Sequence, residues 1–322
     1  MKLSIIIVNY RAWSHIEKAL TLLEADFPDD WEIIIVDNES EKAGFEEFRK
    51  RHAWVTMVAN PMNSGFGYGC IIGVNNAGGE QLLFMNPDVI ASVEDIRKLV
   101  AIKAAHADVA LLAPRQVGTD GRPQKVFDEF PGVLNQSKTI KSLLRLLRAG
   151  HKADPRGDHR ELVYCDWVTG SVLLVDRDDY DRIGGWSRDY WMYVEDADLC
   201  KRAHDAGLRV AYTPEVTVLH AHGGSSRINI DVKAMTKLEV IISKHVYTQN
   251  HVRGVKRALT HGLIGVLRIP GLCIAALADL MTLHRVPTLR VRSRVLAGLV
   301  SYYLGVIGTG NWLSPRALAN QS

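Results

Sequence analysis

The chain has 322 residues, 47% of them hydrophobic and 23% charged, which is ordinary globular composition with material for a large core. Its four cysteines (Cys70, Cys165, Cys200, Cys273) include no C-x-x-C pair, so neither a zinc site nor a disulfide framework is indicated and a reducing cytoplasm fits. The net charge of +3 conceals an asymmetry, because from His251 onward nine Lys/Arg face a single acid, Asp279, leaving the first 250 residues at −5 and the remainder at +8.

The first element, in MKLSIIIVNYRAW, is a strand: Asn9, Tyr10 and Arg11 interrupt the apolar run before it could serve as a secretory segment. Short β-rich runs at Ser4 to Val8, Glu32 to Val36, Val55 to Ala59 and Gln81 to Met85 read as strands buried on both faces. Helical patterns fill the gaps at Ala12 to Ala25, Lys42 to Arg51 and Phe66 to Ala77, and another follows at Ser92 to His106. This β-α alternation predicts a parallel sheet covered by helices, with ligands outside the carboxyl ends of the strands. Asn9 and Tyr10, Asp37 and Asn38, and Asn86 and Asp88 then converge on one crevice.

After Pro114 the alternation is lost. Residues 116–158 read as a polar insertion with one basic amphipathic helix near Lys138 to Arg148. A strand-like run from Tyr164 to Val175, a helix opening on the acids of VEDADLCKRAHDAG and a strand from Val216 to His220 follow, and helical patterns dominate from Asp231. The glycines of NSGFGYGC, Asn63 to Cys70, follow the third strand in a G-x-G-x-G spacing, which disfavours a dinucleotide-binding fingerprint, and no G-x-x-x-x-G-K-[ST] exists.

The ordered set IIIVNY (Ile5 to Tyr10), VDNES (Val36 to Ser40), NSGFGYG (Asn63 to Gly69), FMNPDV (Phe84 to Val89), WVTGS (Trp167 to Ser171), GGW (Gly184 to Trp186), MYVEDADLCKRAHDAG (Met192 to Gly207) and VLHAHGGS (Val218 to Ser225) resembles the inverting glycosyltransferases of family 2, and within them the rhamnosyltransferase-like branch. Each motif alone is weak; the order over about the first 225 residues is specific. The resemblance implies a GT-A fold, an α/β architecture with a mostly parallel sheet flanked by helices. It implies a catalytic domain over 1–230, with 1–115 as the nucleotide-binding half and 116–230 as the acceptor and catalytic half, and a helical basic extension over 231–322.

The resemblance also implies site roles. Val8, Asn9, Tyr10, Asp37, Asn63, Gly65, Asn86 and Asp88 would hold the donor nucleotide, with Asp37 accepting the imide N–H of uracil or thymine. A lone Asp after a strand otherwise reads as a turn or cap carboxylate. Pro87 fixes its own φ and pushes Asn86 into an extended conformation, so that Asp88 points into the cleft as a hard oxygen ligand for Mg²⁺ or Mn²⁺ on the diphosphate. His220 is implied as second metal ligand, with His222 a close competitor. Asp196 is implied as the general base, with Glu195 lining the site; first-turn acids otherwise complement the helix dipole. Trp186, Trp191 and Tyr193 offer rings for an acceptor sugar, although aromatics at this density are as often core. Relatives commonly read G-G-F-D-E where this chain has Gly184-Gly185-Trp186-Ser187-Arg188, and this departure bears on substrate choice.

The apolar stretch Gly262 to Met281 contains Arg268, Pro270 and Asp279, so it makes a poor transmembrane span. The basic C-terminal region reads as an amphipathic element meeting an anionic membrane surface, or else as an appendage packed on the catalytic domain or on a second copy in a homo-oligomer. Nucleic acid is not expected, because a reading motif is lacking. The function expected is transfer of a sugar, with inversion, from a nucleotide donor to a glycan or lipid-linked glycan at the cytoplasmic face of a membrane. A dTDP-deoxysugar such as dTDP-rhamnose is the first donor and a UDP-sugar the second. Two other readings compete with this one. A nucleotidyltransferase would carry a basic glycine-rich loop after the first strand, where this chain has NYRAW. A non-catalytic sugar-nucleotide-binding adaptor would have no need of Glu195 and Asp196.

Overall fold

The computed structural model describes residues 2–133, 154–155, 157–221 and 229–319. The expected basic helix at Lys138 to Arg148 lies outside them. The described residues divide into two compact units, one taking in residues 2–130, 154–155, 157–187 and 195–221, the other 131–133, 188–194 and 229–319.

In the first unit β1 (Leu3–Asn9), α1 (Trp13–Glu24), β2 (Trp31–Asn38), α2 (Lys42–Arg51), β3 (Thr56–Asn60), α3 (Phe66–Asn75) and β4 (Gln81–Met85) follow the predicted alternation. A two-residue strand β5 (Val89–Ile90), α4 (Val93–Ala105) and β6 (Val109–Val117) come next. After β7 (Phe127–Asp128), β8 (Val163–Tyr164) and β9 (Trp167–Val168) the chain forms β10 (Val172–Asp176), α5 (Arg177–Ile183), α6 (Glu195–Asp205) and β11 (Arg209–His220). Among the described residues the main sheet runs β3-β2-β1-β4-β10-β6-β11-β5, with β8 on β11. β1 to β4 pair in parallel, as do β6 and β11, while β10 runs antiparallel to both β4 and β6.

The apolar run SIIIV is explained by burial on both sides. Leu3, Ile5 and Ile7 join Ile16, Leu20 and Leu99 in one core, and Ile6 and Val8 join Cys70, Tyr180 and Leu199 in another, as the two-residue period of a strand requires. Helix α3 sits so close to β1 that a Cβ on Gly73 would lie 2.4 Å from Ile6 Cγ2, a distance that excludes any larger residue without displacement.

Two expectations are corrected here. The alternation does not end at Pro114, because β6 continues to Val117; Pro114 has no N–H to give, and a register shift in β11 between Thr213 and Thr217 falls opposite it. The run from Tyr164 to Val175 is three short strands, broken where Thr169, Gly170 and Ser171 form a turn ahead of β10.

The second unit contains α7 (Ile230–His251), α8 (Gly254–Met281), α9 (Pro287–Thr309) and α10 (Pro315–Ala319). Inside it His245 is fully buried, with its Nδ1 2.8 Å from His261 Nδ1 and its Nε2 2.8 Å from Tyr303 Oη, and Trp312 stacks on both imidazoles. Burial holds His245 down at about 3, and burial with nearby Arg257 holds His261 at about 4. Both are therefore neutral when folded, whereas the unfolded chain takes up protons on them below about pH 6.5. Their contribution is complete above that pH and declines as the pH falls toward 4. Amide protection factors in α7 to α9, taken relative to intrinsic exchange at each pH, are accordingly expected to fall between pH 7 and pH 5, and to lose most of that pH dependence in a His245→Phe/His261→Phe variant; an unchanged profile in that variant would refute the assignment.

Candidate active site

The candidate donor, metal and base residues gather at the carboxyl ends of β1, β2 and β4 and at the turns facing them, all within the first unit, whereas Trp191 and Tyr193 belong to the second. Asn9 and Asp37 are register partners on adjacent parallel strands, so their side chains leave the sheet on the same side. Asn9 Nδ2 donates to Asp37 Oδ1 at 2.6 Å, and Ser40 N–H donates to Asp37 Oδ2 at 3.1 Å. Asn9 Oδ1 accepts from Ala12 N–H and so starts α1. Asp37 is 3% exposed, and burial raises its pKa against the pull of Ser40 and Asn9. Val8 is buried, and Tyr10 is partly exposed with the Arg11 guanidinium 5.2 Å from its ring centre.

Asn38, one residue on, leaves by the opposite face and organises the glycine-rich loop. Its Nδ2 donates to Gly65 O at 2.8 Å, its Oδ1 accepts from Asn60 Nδ2 at 2.8 Å, and Asn60 also reaches Ser64 Oγ. Asn63 Oδ1 accepts from Gly65 N–H at 3.2 Å. Gly65 has φ 84° and ψ −178°, a conformation restricted to glycine, which turns the chain into α3.

The Asn86-Pro87-Asp88 turn joins β4 to β5, and β5 pairs with the end of β11 so that Val89 faces His220. That short pairing is what brings the two predicted metal ligands together: His220 Nε2 lies 3.3 Å from Asp88 Oδ1, and Ala221 N–H donates to Asp88 O. The other imidazole nitrogen, Nδ1, is 2.8 Å from Gln116 Oε1, an acceptor, so Nδ1 carries a hydrogen and Nε2 is the nitrogen turned toward Asp88. This donor set, one carboxylate oxygen and one imidazole nitrogen, would fit a hard divalent cation. Among the described residues no group of three or more His, Cys, Asp or Glu is arranged to hold a metal by itself. His222, the competing candidate, lies outside the described residues.

Gln116, on β6, was not among the predicted site residues. Its Oε1 also accepts from Ser171 Oγ at 2.9 Å, and Ser171 O accepts from Asn86 N–H at 2.8 Å. The turn at 169–171 therefore supports the Asn86-Pro87-Asp88 turn from one side. On its other side Gly170 N–H is 3.3 Å from Asp196 Oδ2, so the Asn86-Pro87-Asp88 turn, through Asn86, and Asp196 each bond to the same three-residue stretch. Asp196 sits in the first turn of α6, where the helix dipole favours its charge, yet burial outweighs that pull and raises its pKa to about 6. Glu195 is 5% exposed, with its side chain against Gly67.

The predicted acceptor aromatics fall differently. Trp186 is enclosed in the core, edge-on to Phe66 and Phe84 at 5.5 and 5.2 Å. Trp191 is buried, with the Arg316 guanidinium 5.3 Å from its ring centre. Tyr193 is partly exposed. It and Val194 both have positive φ, 71° and 66°, directly ahead of Glu195. For a β-branched residue this is a strained conformation, and strain of this kind concentrates at sites whose geometry is dictated by function.

Residues 4–159 match Glycosyl transferase family 2, and residues 161–222 match the N-terminal domain of galactosyltransferase. The rhamnosyltransferase WbbL of Escherichia coli is 27% identical over 67% of this chain and 82% of its own. An N-acetylglucosaminyl-diphospho-decaprenol L-rhamnosyltransferase of Mycobacterium tuberculosis is 24% identical over 68% of this chain and 75% of its own. Among solved structures, a mannosyltransferase from Pyrobaculum calidifontis in complex with GDP-Man and Mn²⁺ superposes with a TM-score of 0.51 at 15% identity, covering 93% of this chain and 86% of that one. That likeness gives the GT-A fold, and the sequence matches make the protein a glycosyltransferase: residues 4–159 match the family 2 model, and the chain is similar to rhamnosyltransferases.

Proposed function

We propose that the protein transfers a sugar, with inversion, from a nucleoside diphosphate donor to a lipid-linked glycan in cell-surface polysaccharide synthesis, with a dTDP-deoxysugar as first donor and a UDP-sugar as second. The observation that carries this reading is that residues 169–171 bond both to Asn86, in the turn that presents Asp88, and to Asp196. It sets a proton acceptor and a phosphate-side carboxylate on one short piece of backbone.

Asp37 accepts the imide N–H of the pyrimidine, and its bonds to Asn9 and Ser40 fix the carboxylate plane in advance. Asn63 and Gly65 border the nucleotide-sugar, where the bare glycine backbone permits close approach. Asp88 and His220 would hold a divalent ion, Mg²⁺ or Mn²⁺, which when bound supplies charge neutralisation to the leaving diphosphate. Asp196 takes the proton from the acceptor hydroxyl as that oxygen attacks the anomeric carbon. Glu195 lines the same wall. Relatives acting on a lipid-linked acceptor, together with the basic C-terminal unit, support a peripheral position on the inner face of the cell membrane.

The test is a nucleotide-release screen over dTDP-, UDP- and GDP-sugars with a membrane extract as acceptor. One donor class should be consumed in an acceptor-dependent way; no release from any sugar nucleotide would overturn the reading. Gln116→Leu gives a finer check. It removes the acceptor that orients His220, and is expected to weaken Mn²⁺ binding in the presence of nucleoside diphosphate by about 10–100-fold. Calorimetric titration reads this directly, and an unchanged affinity would remove Gln116 from the site.

A further inference from the structure

We propose that the outward face of α8 is a membrane-binding surface that lies lengthwise in the headgroup region of an anionic bilayer. It rests on the reading of the chain as an enzyme serving a membrane-borne acceptor, and it assigns that contact to particular side chains and an orientation. Val255, Leu259, Val266, Ile274, Leu277 and Met281 recur at three-, four-, seven- and eight-residue spacings, so they share one face, and each is between 57% and 84% exposed. The opposite face is occupied: Thr260, Ile264, Ala275 and Asp279 are buried within the second unit. The helix therefore has two apolar faces, of which one is filled by protein. At 28 residues it is about 42 Å long, so the outer stripe is a continuous strip rather than an isolated patch.

Charge selects the occupant. Exposed Arg253 and Lys256 flank one end of the stripe, and exposed Arg285 and Arg290 flank the other. The single acid between His251 and Ala319, Asp279, is buried and bonded to His284 at 2.8 Å, so no carboxylate opposes an anionic surface there. A second copy of the chain would have to bring these like charges together, whereas phosphate headgroups neutralise them.

By length and composition α8 would also suffice to cross a membrane. Arg268 argues for lying flat: it is exposed and is the fifteenth of the 28 residues, so crossing would carry a guanidinium to mid-bilayer, while in an in-plane helix it points away from the stripe and stays out of the hydrocarbon.

Vesicle flotation of the full chain tests this, using phosphatidylcholine vesicles with and without about 30 mol% phosphatidylglycerol. The protein is expected to float with the anionic vesicles and be released by high salt. A Val266→Asp/Leu277→Asp variant should lose more than about tenfold in partitioning with an unchanged melting temperature, since both positions are exposed. Exposed Cys273, labelled with an environment-sensitive dye, should shift to the blue on anionic vesicles. Failure to float, equal flotation of the variant, or a wild-type dimer that the variant dissolves would each overturn the proposal. Nucleotide release measured with a soluble acceptor is unaffected by these outcomes, so loss of membrane binding and loss of the enzymatic reading are separable.

Discussion

Replacing Asp196 by asparagine is expected to cut the rate of sugar transfer by about 10²–10⁴-fold while leaving nucleotide binding nearly unchanged. The amide keeps the shape and still accepts a hydrogen bond from Gly170 N–H, but it cannot take a proton. The pH dependence has a definite sign. Burial raises the Asp196 pKa from 3.8 to about 6, and only the ionised form is a base, so kcat should be level above about pH 7 and fall tenfold per unit below about 6. The same shift acts on stability in the opposite sense. A carboxyl whose pKa is higher in the folded state favours folding when protonated, and the cost of ionising it appears as the pH rises through the window from 3.8 to about 6. Asp196→Asn should therefore melt at or above the wild-type temperature at pH 7.5. A variant that is stable and inactive identifies the base, whereas one retaining a tenth or more of the activity rules Asp196 out.

The route from sequence to this site shows what a linear pattern can carry. Strands β1 to β4 were legible because burial on both faces leaves an unbroken apolar run, and the polar residues ending them mark the crevice without knowledge of the register. The approach of Asp88 to His220 was not visible in that way. It depends on a two-residue strand, β5, too short to leave a periodic signal. Gln116 was missed for a related reason: one polar residue past a proline carries no motif, although an amide within an otherwise apolar strand was a signal to weigh. The strained pair Tyr193 and Val194 was illegible, because neither residue type announces a left-handed conformation. Trp186 and Trp191 show the limit of composition. Their positions beside the acids suited a sugar platform as well as a core, and both side chains are buried.

The second large effect concerns the phosphate side. Asp88→Ala should abolish stimulation by Mg²⁺ or Mn²⁺ and lower kcat/KM by at least about 10²-fold, the scale of losing a pre-organised contact to developing charge. His220→Ala should act in the same direction by a smaller factor, since imidazole contributes a lone pair and no charge to the cation. The backbone pairing of Val89 with His220 is untouched by either change, so the turn should persist and the loss should be chemical. Because Asp88 Oδ1 and His220 Nε2 are 3.3 Å apart and would share one ion, the double variant should cost little more than Asp88→Ala alone. Additive losses in kcat/KM would place the two side chains in separate roles and leave Asp88 without a partner on the diphosphate. Calorimetric titration with Mn²⁺ and a nucleoside diphosphate distinguishes these outcomes without turnover, because a shared ion predicts that both single substitutions weaken one and the same binding event, Asp88→Ala the more.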